Sequence, residues 1–170
     1  MKKQIYLANA LFAIADRKLN EEIYNKLKSE IEDVEIYAPQ FNLAINDKTK
    51  SASSIPIYDG DTEKLLWSNI LLAVLDGQDL GVATEIGLVA GWNEAHKNNP
   101  ENQKIIVGIF SDNRDVAKTY SAEKNEDMAK QGIAENQYPY INLYTIGAIK
   151  KFGKVFGTVE EAIEYIKTIK

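Results

Sequence analysis

The side chains best placed to carry acid–base or covalent chemistry here are carboxylates, because the 170 residues include 25 acidic groups, one histidine and no cysteine. The carboxylate in the most telling position is Glu85, within Asp76-Gly77-Gln78-Asp79-Leu80-Gly81-Val82-Ala83-Thr84-Glu85-Ile86-Gly87, where a buried strand runs into a helix. Its helical neighbours are Gly81, Val82, Leu88 and Val89, which predicts a carboxylate in the middle of an apolar stripe. Acidic groups are almost never fully buried without a partner. Proximity to the helix N-terminus would help keep Glu85 ionised, and Gly81 one turn earlier leaves room for a ligand. The plainer reading is a glutamate that pairs with a buried tyrosine or backbone group and only stabilises packing.

Other candidates have plainer readings of the same kind. Asp79 is a natural helix N-cap, and capping is compatible with ligand contact. Asp59 and Asp61 precede residues 62–68, which read as a short helix, so either could be its cap. His96 reads as a solvated residue at a helix C-terminus. Tyr24 and Trp92 fall at helical spacings and read as core rather than ligand platforms.

The elements that must position these groups alternate. Residues 3–8 form a strand, and Leu19, Ile23, Leu27 and Ile31 mark one face of a helix over 17–31. Residues 34–38 form a second strand closed by Pro39, followed by a polar stretch over 40–59. Residues 70–75 are uninterruptedly apolar, the pattern of a strand buried on both faces. A helix over 80–96, a buried strand over 104–110, a short strand over 141–144 and a final helix opened by Thr158-Val159-Glu160-Glu161 complete the chain. This order predicts an α/β domain with a parallel sheet and helices on both faces, and ligands beyond the carboxyl ends of the strands. No internal repeat or linker divides residues 1–170, which read as a single domain. The polar stretches 40–59 and 111–137 have the positions of lids or subunit contacts.

Composition excludes several function classes. Thiolate zinc sites, iron–sulfur clusters, disulfides and multi-histidine metal centres lack their ligands. A net charge of −5 without a long basic run gives no electrostatic footprint for nucleic acid. The glycine-rich phosphate fingerprints are missing, which demotes a dinucleotide or ATP site. The apolar run after Lys2-Lys3 is interrupted by Asn9 and followed by Asp16-Arg17-Lys18, so it reads as strand and loop rather than signal peptide. No window approaches the roughly 18 apolar residues of a membrane span, and a soluble, cytoplasmic protein is expected.

Ile5-Tyr6-Leu7-Ala8, Asp61 ahead of Ser68-Asn69-Ile70, Ala73-Val74-Leu75-Asp76-Gly77, Asp79-x-Gly81-x-x-x-Glu85-x-Gly87 and Pro139-Tyr140-Ile141-Asn142-Leu143-Tyr144 occur in this order. Together they resemble the nucleoside 2-deoxyribosyltransferase family. The resemblance implies a flavodoxin-like, doubly wound sheet of about five strands. It also implies exchange of the base of a 2′-deoxyribonucleoside for another purine or pyrimidine, as in nucleotide salvage, without cofactor or metal. On this resemblance Glu85 is the nucleophile that forms a covalent deoxyribosyl ester, and Tyr6 orients it. Asp61 and Asp79 fall on the acidic positions near base and sugar; Asp61 is assigned mainly to base recognition and Asp79 to proton transfer and sugar contact. Phe12 matches an aromatic wall of the pocket. Asn142 and Tyr144 match residues that reach a neighbouring subunit's site, which makes a homo-oligomer with shared sites the expectation. The sequence departs from the family pattern at Ala10, where proline is frequent, at Asn69, where aspartate is frequent, and at Tyr144, where some relatives carry methionine.

Two other functions compete. A sister branch hydrolyses 2′-deoxynucleoside 5′-monophosphates, but its arginine- and glycine-bearing phosphate loop is here Ala8-Asn9-Ala10-Leu11-Phe12-Ala13. A non-catalytic nucleoside-binding module would have no need for an acid and a nucleophile together.

Overall fold

The computed structural model describes residues 2–42, 53–112 and 141–170. Five strands, β1 (Lys3–Ala8), β2 (Val34–Tyr37), β3 (Ile70–Val74), β4 (Ile105–Ile109) and β5 (Gly153–Phe156), form one sheet in the order β2-β1-β3-β4-β5. Every pairing is parallel. The helices are α1 (Ile14–Glu30), α2 (Ser54–Trp67), α3 (Leu80–Ala95), α4 (Leu143–Phe152) and α5 (Val159–Thr168). This is the strand order of flavodoxin-like folds, as the family resemblance implies.

The two-residue period of each strand sorts its side chains between two cores. Tyr6, Ala8, Leu71 and Ala73 face one layer, where Leu65 of α2, Val82, Ile86 and Val89 of α3, and Ile146 and Ile149 of α4 cover them. Ile5, Leu7, Leu72 and Val74 face the other, closed by Ile23 and Leu27 of α1 and Ala162, Ile163 and Ile166 of α5. All five residues of β3 are buried, which explains its unbroken apolar run.

Three expectations change. The sequence places a short helix at 62–68 with Asp59 or Asp61 as its cap, whereas α2 begins at Ser54, so both aspartates lie inside a helix. Pro56 falls in the first turn of α2, where its missing N–H needs no partner, and therefore does not break it. Residues 141–144 are not a strand: Asn142 is the N-cap of α4, its side chain accepting the Tyr144 N–H at 2.9 Å, and Ile146 and Ile149 bury its inner side. The fifth strand follows at Gly153, where a β-carbon would stand 1.8 Å from the Ile106 carbonyl oxygen, so only glycine lets β5 start against β4. Helix α1 starts three residues earlier than its apolar spacing indicates. Pro139, Tyr140 and the readings over 43–52 and 113–137 lie outside the described residues.

Thr158 caps α5 by accepting the Glu161 N–H at 3.2 Å, while Glu161 takes the Gly157 N–H rather than that of Thr158. His96 caps α3 and stacks on Trp92 with ring centroids 4.2 Å apart. Trp92 and Tyr24 are half-buried, each packed against another ring. Among the described residues no helix is long and apolar enough to cross a membrane.

Candidate active site

The carboxyl ends of β1 and β2 and the start of α3 meet the middle of α2. Helix α3 begins where it does because Asp79 accepts the Val82 N–H at 3.0 Å, an N-cap as its residue type predicts. The cap also defines Gly81: a β-carbon there would lie 2.8 Å from Asp79 Oδ1. The buried stripe of α3 is Val82, Ile86, Val89 and Asn93, so Glu85 sits half-buried at the stripe's edge rather than in its middle. From α2, Tyr58, Asp61 and Thr62 occupy one face by the three- and four-residue spacing of a helix. They and α3's Gly81 and Glu85 line a cleft of about 180 Å³.

Glu85 has the partner that burial demands. The Tyr6 hydroxyl, on a side chain with no solvent exposure, donates to Glu85 Oε1 at 2.6 Å. One strand away, the Tyr37 hydroxyl donates to Asp61 Oδ1 at 2.9 Å. The two tyrosines are register partners on β1 and β2, with ring centroids 5.3 Å apart. Among the described residues no hydrogen bond reaches Glu85 Oε2 or Asp61 Oδ2. Each carboxylate is thus held by one oxygen and offers the other.

Burial is the main reason that the Glu85 carboxyl is pushed up to about 7, and the negative charges of Asp61 and Asp79 add to it, while the Tyr6 hydrogen bond pulls the other way. Burial likewise raises Asp61, opposed by its bond from Tyr37. Tyr6 is driven far above the usual phenol range by burial and the charge of Glu85, so it stays a donor. Two carboxylates facing one cleft resist ionising together, and the pair favours holding a single proton. Two carboxyls of raised proton affinity that share a cleft can divide the roles of nucleophile and acid in glycosyl chemistry.

Of the residues singled out in the sequence, Tyr6, Asp61, Gly81 and Glu85 come together. Asp79 lies at the helix start and lines a neighbouring cavity of about 280 Å³ with Asn142 of the same chain. Phe12 is 76% exposed and Tyr144 is 90% exposed, so neither walls the cleft within this chain. Asp59 is exposed on α2 and does not line the cleft. Asp76 serves the scaffold, accepting both the N–H and the hydroxyl of Ser111 at 2.7 Å and so tying the exits of β3 and β4 together. Tyr37 is the site residue that sequence reasoning missed. Its signal is a tyrosine at the carboxyl end of a strand, which becomes informative only once the register sets it opposite Tyr6.

The family model for nucleoside 2-deoxyribosyltransferases matches residues 5–143. The chain belongs to this family. Among solved structures, it is similar to a conserved protein from Enterococcus faecalis V583, at 35% identity over 98% of both chains with a TM-score of 0.75. It shares its fold with a 2-desoxiribosyltransferase from Leishmania mexicana, at 20% identity over 97% of both chains with a TM-score of 0.59. No curated protein matches the sequence significantly. This member of the nucleoside 2-deoxyribosyltransferase family has a tyrosine-held glutamate, Glu85, and a tyrosine-held aspartate, Asp61, at the carboxyl edge of its sheet. Among the described residues no group of three or more histidine, aspartate or glutamate side chains is arranged to hold a metal ion.

Proposed function

We propose that this protein transfers the 2-deoxyribosyl group of a 2′-deoxyribonucleoside to another purine or pyrimidine base, a salvage reaction. The observation that carries the reading is the Tyr6–Glu85 hydrogen bond at the wall of the cleft that Asp61 faces. Glu85 Oε2 attacks the anomeric carbon as the C–N bond breaks, the bond's electron pair leaves on the base nitrogen, and a proton from Asp61 neutralises the departing base. The product is a glutamyl deoxyribose ester. An incoming base then attacks the same carbon, loses its proton to Asp61 and releases the Glu85 carboxylate, so two inversions give net retention.

The family resemblance assigns proton transfer to Asp79 and base recognition mainly to Asp61, roles that the sequence itself does not separate. The geometry favours exchanging the first of these roles, because Asp61 shares the cleft with Glu85 and keeps Oδ2 available, whereas Asp79 Oδ1 is committed to capping α3. Asp79 then contributes its charge beside Glu85, and with Asn142 a polar edge for the sugar. We propose that residues 1–170 act as one domain in the cytoplasm, and that a homo-oligomer completes the site. Phe12, Leu80 and Tyr144, all strongly exposed near the carboxyl edge of the sheet, supply apolar surface for a second copy.

Incubation with thymidine and adenine tests the reading, with deoxyadenosine as the expected product. Free deoxyribose without a new nucleoside would assign hydrolysis instead, and no reaction with any donor would leave only a binding module. Mixing a Glu85→Ala protein with an Asn142→Ala protein restores activity if sites are shared between subunits.

A further inference from the structure

Strand β2 ends on Tyr37, whose hydroxyl lies between two partners: Asn42 Nδ2 donates to it at 2.9 Å, and it donates to Asp61 Oδ1 at 2.9 Å. The direction of this chain is set at its far end. An amide nitrogen has only protons to give, so the Tyr37 hydroxyl accepts there and has its one proton left for Asp61. Burial, helped by the bond to Asp61 and opposed by the Asn42 amide, pushes the Tyr37 phenol up to about 12, so the proton stays on the tyrosine at any working pH. A protonated Asp61 consequently cannot carry its proton on Oδ1.

We infer that Tyr37, backed by Asn42, is a positioning residue that holds Asp61 Oδ1 as an acceptor and so places the transferable proton on Oδ2, the oxygen available to a base in the cleft. The use made of that proton rests on the deoxyribosyl-transfer reading; the hold on Asp61 does not. When the glycosidic bond breaks, its electron pair goes to the base nitrogen and the Oδ2 proton follows. The Asp61 carboxylate left behind stays oriented by Tyr37 until the incoming base returns a proton. The groups that face Asp61 are Tyr37 from β2, Tyr6 from β1, Glu85 from α3 and Tyr58 on its own helix. Of these, Tyr37 alone bonds to it among the described residues. The two tyrosines divide the work: in register on adjacent strands, one holds the nucleophile and the other holds the acid.

The test is Tyr37→Phe, which keeps the ring against Tyr6 and deletes the donor. Two donors are compared. An ordinary deoxynucleoside such as deoxyadenosine needs its leaving base protonated, whereas 7-methyl-2′-deoxyguanosine carries a cationic base that leaves neutral without a proton. The expected result is a kcat about 10- to 100-fold lower for deoxyadenosine, with most of the rate retained for the cationic donor. Equal losses with both donors, or no loss with deoxyadenosine, would overturn the inference. A readout independent of turnover is the Asp61 carboxyl titration, followed by ¹³C NMR and assigned with Asp61→Asn. It should move to higher pH in Tyr37→Phe, because a bond favouring the ionised form is lost. An unmoved titration overturns the hold on Asp61. A wild-type protein that turns over neither donor overturns deoxyribosyl transfer, while the titration still decides whether Tyr37 holds Asp61.

Discussion

The Tyr6 hydroxyl donates to Glu85 Oε1 at 2.6 Å across 79 residues of sequence, and this bond opposes the burial that would keep the carboxyl protonated near neutral pH. Burial and the charges of Asp61 and Asp79 push Glu85 towards its protonated form, and the hydrogen bond from Tyr6 favours the ionised form. Removing it in Tyr6→Phe lets the glutamate rise above about 7. The ascending limb of kcat/KM against pH should then move upward by about one unit, so the loss is larger at pH 6 than at pH 9. A limb that stays in place would show that Tyr6 has no part in tuning Glu85.

Glu85→Gln separates the cost of the charge from its use. In the folded protein Glu85 titrates at about 7, against 4.5 in its ordinary state, so the folded protein holds this proton more tightly than the unfolded chain does. The associated stability is fully present below pH 4.5 and is lost as pH rises to about 7. Glutamine never ionises and still accepts from Tyr6. Glu85→Gln should therefore be more stable than wild type by about 1–3 kcal/mol at pH 8, and nearly equal to it at pH 4.5, while losing nearly all turnover. Denaturant melts at the two pH values give the comparison; a difference independent of pH would contradict it.

The parts legible in the sequence are those that follow from local patterns. The unbroken apolar run of β3 and the alternation of Ile5 and Leu7 with Tyr6 and Ala8 specify a doubly covered parallel sheet, and Asp79 announces the start of α3. Helix α2 is less legible: its first turns fall in the polar stretch 40–59, and only residues 62–68 read as helix from the sequence. Residues 141–144 carry a short apolar-polar alternation, yet the Asn142 cap and the spacing of Ile146 and Ile149 commit the segment to helix. Tyr37 was illegible because its value depends on register and on a hydrogen bond to a residue 24 positions away. Phe12 and Tyr144 show the opposite limit, being matched by motif yet turned outward in a single chain.

Gly81 and Asp79 should be strongly coupled in stability. Asp79→Ala removes a cap and should cost about 1 kcal/mol. Gly81→Ala would ordinarily help a helix, but its β-carbon would stand 2.8 Å from Asp79 Oδ1 and displace the capping oxygen. The substitution is expected to cost about 0.5–1 kcal/mol in wild type and to stabilise slightly in the Asp79→Ala background. A double-mutant cycle by chemical denaturation measures the coupling. Additive effects would mean that the cap relaxes without loss.

Asn69 has a structural role at the edge of the sheet opposite the site. Its Oδ1 accepts the Gln4 N–H at 2.9 Å, and its Nδ2 donates to the Lys2 carbonyl oxygen at 2.9 Å. Its backbone extends the same junction, bonding the Gln4 carbonyl and the Ile105 N–H. An aspartate could keep the first side-chain bond, but it would set a carboxylate oxygen against the Lys2 carbonyl in place of the second. Asn69→Asp should therefore destabilise by about 1–2 kcal/mol. Because the lost bond joins β1 to the start of β3, far along the strands from Glu85, kcat well below the melting temperature should stay at the wild-type value. Urea unfolding with an unchanged m-value and a lower midpoint would bear this out, and an equal or higher midpoint would show that the strand ends accommodate the charge.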